Sequence, residues 1–278
     1  MRALVALLVA GAVLSGHAQE RIPAGPPANG PTFDVVSIKR VTDIRNRHRW
    51  GEDPGGKFVL SGTSIVPAIQ AAYPSDVSDL IGAPAWLDLE SYDLTAQAGR
   101  EVSREQMTAM LQAMLADRFK LVVHYEMQER PVFALMVARA DGRLGSNIKK
   151  SDLDCDAIQA SRRAGSKEPA PATSNGAPAC GMSMRGEDVG LKLLLGARPL
   201  SALATSIRSA VERVVIDKTG LKGNYDITLN YELAPDPPPG APPNIHTALR
   251  DQLGLKLESD RAPLKVLVVD RIERPTEN

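Results

Sequence analysis

The sequence predicts an α+β protein made of two tandem copies of a strand–helix–strand–strand–helix–strand–strand unit, joined by a loop-like connector. Three observations carry that reading. The stretch "RFKLVVHYEMQERPVFALMVAR" at 118–139 has a shorter echo, "LKLESDRAPLKVLVVDRIE", at 255–273. "YDLTA" at 92–96 returns as "YDITL" at 225–229. Leu111 and Leu115 on one amphipathic stretch match Leu249 and Leu253 on another, and Pro131 matches Pro263. One repeated unit explains the shared element order more economically than coincidence between generic elements.

The chain opens on "MRALVALLVAGAVLSGHA": one Arg, an apolar run from Ala3 to Leu14, and small residues ending at Ala18. That order is the mark of a secretory signal peptide, read here as residues 1–18. The run is shorter than the roughly 20 residues a membrane span needs. Residues 19–32, rich in Pro and Gly, read as a flexible lead-in.

The first repeat is placed at 33–140. "FDVVSIKRV" (33–41) is its first strand signal, and "DPGG" (53–56) is a turn leading into the strand "KFVLSG". Ile65, Ile69 and Ala72 mark one side of a short helix over 63–73, and 80–96 reads as strand, loop and strand. A helix follows over 104–119. Ser103 and Gln106 have capping-box spacing, and Met107, Met110, Leu111, Met114, Leu115 and Phe119 form one apolar stripe. In "KLVVHYEM", Leu121, Val123, Tyr125 and Met127 share one strand face, leaving His124 and Glu126 on the polar one. "VFALMVA" (132–138) is apolar on both faces and reads as an interior strand.

Residues 141–190, rich in Ser, Ala, Pro and Gly, read as an irregular connector. The second repeat is placed at 191–278. A strand and helix span 191–211, with Leu200, Leu203, Ile207, Ala210 and Val211 on one side. Two strands follow, then a Pro-rich loop that delivers Asn244 as an N-cap. Ile245, Ala248, Leu249 and Leu253 form the next apolar stripe, stopped by Gly254.

Composition limits the function. With 33 basic and 33 acidic residues, the chain has no electrostatic bias toward nucleic acid. Aromatics at 4% are too sparse for a stacking platform. Beyond residue 18 no apolar run reaches membrane length. Cys155 and Cys180 are the only cysteines; in an exported chain an even count points to a disulfide between them. A metal site is not indicated, because two thiols without nearby His fall short of four ligands. No cofactor motif is present either, and His48, His124 and His246 read as solvated surface residues. "RNRHRW" gathers Arg45, Arg47, His48, Arg49 and Trp50 into a loop that reads as solvated, with anion binding as its functional alternative. Trp86 reads as packing over the core.

These residues also carry a resemblance. "FDVVSIKR", "GAPAWLDLESYDLTA", "MLADRFKLVVHYEMQERPVFALMVAR", "VIDKTGLKGNYDITL" and the tail from Leu253 resemble a family of exported proteins of unknown function. That family is expanded in soil bacteria, especially acidobacteria, and its domain also occurs fused to BlaR-type membrane metallopeptidases. The resemblance implies an extracytoplasmic sensing or interaction role and supplies no catalytic residues; the chain lacks the peptidase's H-E-x-x-H. The resulting expectation is a periplasmic or extracellular, non-catalytic binding module whose partner is an unidentified envelope protein or small molecule. The alternatives are an exported hydrolase with a non-motif site and a structural envelope protein.

Intact-mass measurement of the exported protein is expected to show Gln19 as its N-terminus; a full-length cytoplasmic product contradicts the signal-peptide reading.

Overall fold

The computed structural model describes residues 21–27, 29–42, 48–166, 168–187 and 189–275. Residues 1–18, read above as a signal peptide, and Arg45 and Arg47 lie outside the described residues. The chain divides into two compact units: the first runs to Gln128 and resumes at Leu264, and the second is Glu129–Pro263. These divisions fall inside strands rather than in the predicted connector.

The first unit contains β1 (Ile22–Ala24), β2 (Val35–Val41), β3 (Arg49–Asp53), β4 (Lys57–Thr63), α1 (Val66–Ala72), β5 (Leu80–Ile81), α2 (Trp86–Leu89), β6 (Ser91–Gln97) and α3 (Arg104–Arg118). Then β7 (Val122–Val137) begins in the first unit and ends in the second. The second unit continues with β8 (Ile148–Ser151), α4 (Cys155–Arg163), β9 (Met182–Gly186), β10 (Leu191–Arg198), α5 (Leu200–Ser206), α6 (Arg208–Val211), β11 (Val215–Asp217), β12 (Asn224–Tyr231) and α7 (Ile245–Ala248). A single π-helical turn, Leu249–Leu253, leads into β13 (Leu255–Arg271), which ends in the first unit. The fold class is α+β, as the sequence predicts.

Each unit holds an antiparallel four-stranded sheet. In the first the order is β2-β6-β4-β3, and in the second it is β8-β12-β10-β9. Strand for strand in chain order, the two sheets have the same arrangement. Alternation sets their faces. Phe58, Leu60, Tyr92 and Leu94 point into a core with Ile69 of α1 and Leu111 and Leu115 of α3. Leu193, Leu195, Tyr225, Ile227 and Leu229 do the same in the second unit, with Leu203 of α5 and Leu249 and Leu253 of the π turn. The cap of α3 forms as its spacing predicts: Ser103 Oγ accepts from the Gln106 N–H, and the Gln106 side chain accepts from the Ser103 N–H. Asn244 caps α7 by accepting from the Thr247 N–H at 3.1 Å.

The matching segments "YDLTA" and "YDITL" have a physical basis in a bulge. The β4–β6 register slips between Leu60 and Thr63, and the β10–β12 register slips between Leu195 and Arg198. The bulged residues, Gly62 and Ala197, both adopt left-handed backbone, at φ 60° and 50°. In each case the freed N–H donates to the aspartate of the Tyr-Asp pair. Gly62 N–H reaches Asp93 at 3.0 Å and Ala197 N–H reaches Asp226 at 2.8 Å. A bulge leaves backbone groups without ladder partners, and a carboxylate on the neighbouring strand satisfies one of them.

The structure corrects four local readings. The stretches read as strand pairs, 120–138 and 255–271, each run as one continuous strand through an exposed Pro131 and through Pro263. A proline lacks an N–H but extends readily, so it is tolerated where a strand offers no donor there. Residues 141–190 include β8, α4 and β9, two of which complete the second sheet. In the lead-in, β1 pairs antiparallel with β7, Ile22 opposite Tyr125. The helix at 245–253 widens into its π turn before Gly254 ends it at φ 68°.

Leu115 and Leu253 are fully buried. Truncating a buried leucine removes its transfer energy and leaves a cavity, at a cost of about 2–5 kcal/mol. Leu115→Ala and Leu253→Ala are each expected to lose stability in that range in urea unfolding; a loss under about 1 kcal/mol at either site contradicts the assigned packing.

Candidate functional site

The outer face of the second unit's sheet carries a polar cleft of about 270 Å³, lined by Ser146, Asn147, Lys149, Ser174, Asn175, Lys192, Leu194, Asp226 and Thr228. Strand alternation places its floor. Ile148, Leu193 and Ile227 face the core, so their neighbours Lys149, Lys192, Leu194, Asp226 and Thr228 face outward. Register then groups them, with Lys149 opposite Asp226 and Leu194 opposite Thr228.

One wall is the loop at 173–178, laid across β10. Gly196 is required there. A Cβ at this position would sit 2.5 Å from the Pro178 carbonyl oxygen and 2.7 Å from Thr173 Cγ2. The Asn175 amide donates to the carbonyls of Leu195 and Ile227, at 3.0 and 2.8 Å, where the bulge interrupts the ladder. Its oxygen accepts from the Ala177 N–H at 3.0 Å. Ser174 N–H donates to Asp226 at 2.7 Å. The Cys155–Cys180 disulfide, with Cα atoms 5.5 Å apart, ties α4 to the end of the same segment. Closing its 25-residue separation contributes roughly 3–4 kcal/mol in the chain-entropy model.

Asp226 is buried at 5% exposure. Burial pushes its carboxyl up, but hydrogen bonds from Ser174, Ala197 and Ser151 prevail and hold it below the usual carboxylate range. It is therefore an anion whose oxygens are already engaged. Among the described residues no carboxylate pairs with Lys149 or Lys192.

Two polar clusters in the first unit have a different character. His124, read from sequence as a solvated residue, is buried at 6% exposure. Its Nδ1 lies 2.8 Å from Asp270 Oδ2 on β13 and its Nε2 lies 3.0 Å from Glu126 Oε1. Hydrogen bonding to Asp270 first, and then to Glu126, raises the histidine above its ordinary value near 6.5. Bonds from His124 and then Gln128 hold Glu126 below its ordinary value. With both ring nitrogens donating to carboxylates, the imidazolium has no free nitrogen with which to accept a proton from a nucleophile. In the other cluster, buried Glu90 accepts from Arg274 Nε and from the Tyr92 hydroxyl, each at 2.9 Å. Arg274 also lies over the Trp86 ring, 5.2 Å from its centroid, so Trp86 packs at the core edge as expected.

The remaining predicted candidates do not converge on the cleft. His246 is exposed and stands edge-on to Phe133 at 5.8 Å. His48 is exposed, Arg49 pairs with Asp53, and Trp50 is 58% exposed. Sequence reasoning missed every lining residue of the cleft as a site member. Its available signals were the Tyr-Asp match, read only as architecture, and the Asn175-Gly176 turn pair inside a stretch read as irregular.

A family described as a protein of unknown function (DUF3738) matches the chain over residues 67–272. No curated protein and no solved structure matches it.

The His124 cluster makes a signed pH prediction. A raised histidine contributes fully below its unfolded value near 6.5 and loses that contribution as pH rises through its folded value. The lowered Glu126 contributes above its unfolded value near 4.5 and fades as pH falls through its folded one. The cluster is therefore strongest between about pH 4.5 and 6.5. Urea unfolding should show His124→Ala losing about 2–4 kcal/mol at pH 6, with the gap to wild type narrowing by pH 9. A gap that is constant or widens with pH contradicts the assignment.

Proposed function

We propose that this chain, which belongs to the DUF3738 family of proteins of unknown function, is an exported, non-catalytic binding module of the bacterial envelope. In this reading it consists of two copies of one α+β unit, of which the second holds the ligand. The observation that carries the proposal is the cleft under the 173–178 loop. Its walls are fixed before any ligand arrives, by Asn175 on two strand carbonyls and by Asp226 on two backbone N–H groups. Binding sites with fixed polar groups lose less entropy on association than sites that must order themselves.

Three further features support the reading. The matching strand orders and the paired bulge–aspartate contacts fit a duplicated unit. The disulfide fits an oxidising compartment. No helix among the described residues is long and apolar enough to cross a membrane. The non-catalytic part rests on His124, whose two nitrogens are committed to Asp270 and Glu126. The resemblance to domains fused to BlaR-type membrane metallopeptidases fits sensing outside the cytoplasm.

The test is an NMR titration of the disulfide-bonded mature chain with a panel of small polar metabolites. A binder is expected to shift the amides of 146–149, 174–175, 192–194 and 226–228, and to be recovered chemically unchanged after prolonged incubation. Turnover of the bound compound contradicts the non-catalytic reading; binding that leaves these amides unmoved contradicts the cleft as its seat.

A further inference from the structure

We infer that the cleft takes a small oxyanion, a carboxylate or a phosphate, held between Lys149 and Lys192. This rests on the reading of the cleft as the ligand seat and adds the chemistry of what fills it. Several polar groups around the cleft are already committed to the fold, and the two lysines are not. The one carboxylate of the lining is engaged: Asp226 takes the Ala197 and Ser174 N–H groups, one on each oxygen. Asn175 Oδ1 takes the Ala177 N–H. The Asn175 amide donors are spent as well, on the Leu195 and Ile227 carbonyls.

What is left is dominated by two cations. The ammonium groups of Lys149 and Lys192 have no carboxylate partner among the described residues, and the Thr228 side chain has no protein hydrogen bond there. A lysine ammonium offers three donors and no acceptor. A cationic ligand would meet two lysine charges of its own sign, whereas an oxyanion accepts from both lysines and from Thr228. The nearby Asp226 charge reduces the field but does not reverse it, since two lysines face one aspartate whose oxygens are turned to backbone N–H groups. Lys149 stands on β8 and Lys192 on β10, on either side of β12, so the two charges flank the cleft floor from opposite sides. The volume of about 270 Å³ limits the occupant to a small molecule.

The test uses the full mature chain, with inorganic phosphate and succinate as the two oxyanion probes and glucose and ethanolamine as neutral and cationic probes. Binding is followed through the amides of 146–149, 174–175, 192–194 and 226–228. At least one anion is expected to shift them, and the tighter of the two identifies the source of the oxyanion. Lys149→Gln and Lys192→Gln should each weaken that anion roughly fivefold or more while leaving Tm nearly unchanged. Lys150→Gln changes the same charge at a neighbouring residue outside the cleft, and should leave affinity within about twofold. Equal weakening by Lys150→Gln reduces the effect to general surface charge and overturns the inference. Binding of glucose or ethanolamine at these amides, with neither anion bound, overturns the oxyanion class and leaves the seat standing. If no probe moves these amides, both the inference and the seat are overturned.

Discussion

The outer face of the second unit depends on one buried carboxylate. Asp226 accepts the N–H of the bulged Ala197 and the N–H of Ser174, so it closes the gap in the β10–β12 ladder and anchors the 173–178 loop across it. A buried charge is costly unless it is fully hydrogen-bonded, and here the bonds outweigh the burial. Asn175 completes the same join from the loop side by meeting the Leu195 and Ile227 carbonyls. Gly196 leaves room for the loop to lie flat. The cleft is a product of these contacts, and its floor lysines stand where strand alternation puts them.

The first unit uses the same device for a simpler purpose. Asp93 receives the Gly62 N–H and the Ser61 hydroxyl, so the bulge is satisfied within its own sheet. Gly62 tolerates left-handed backbone at no steric cost, whereas Ala197 adopts it against its Cβ. That difference fits a second unit in which the bulge carries an added loop. The charge clusters of the first unit then read as fastening. His124 joins β7 to Asp270 on β13, and Glu90 joins the start of β6 to Arg274 near the end of the chain.

What the sequence made legible follows the range of the interactions involved. The capping box, the Leu111 and Leu115 stripe and the Asn244 cap depend on residues three or four apart, and they form as spacing predicts. The cysteine pairing follows from the even count together with the expectation of export, and the disulfide is present. Long-range contacts left no such trace. His124 meets a carboxylate 146 residues away, so strand alternation alone assigned it to solvent. The strands β8 and β9 have four and five residues, all but Ile148 polar or exposed, too short for periodicity to separate them from loop. The continuous β7 and β13 were divided because proline is a strong turn signal and only tertiary pairing overrides it. The cleft was illegible for the same reason, since its two lysines and its loop come from segments the chain brings together only in the folded sheet.

The account stands on Asp226 holding the loop, and hydrogen exchange measures that directly. Asp226→Asn keeps the shape of the side chain but can accept through only one of its two terminal atoms. Comparison of amide exchange in the variant and the wild type should show Ser174 and Ala177 exchanging roughly tenfold or more faster, while Leu193 and Leu229 in the β10–β12 ladder keep their protection. Loop amides that retain wild-type protection in the variant would contradict the claim that this carboxylate builds the cleft.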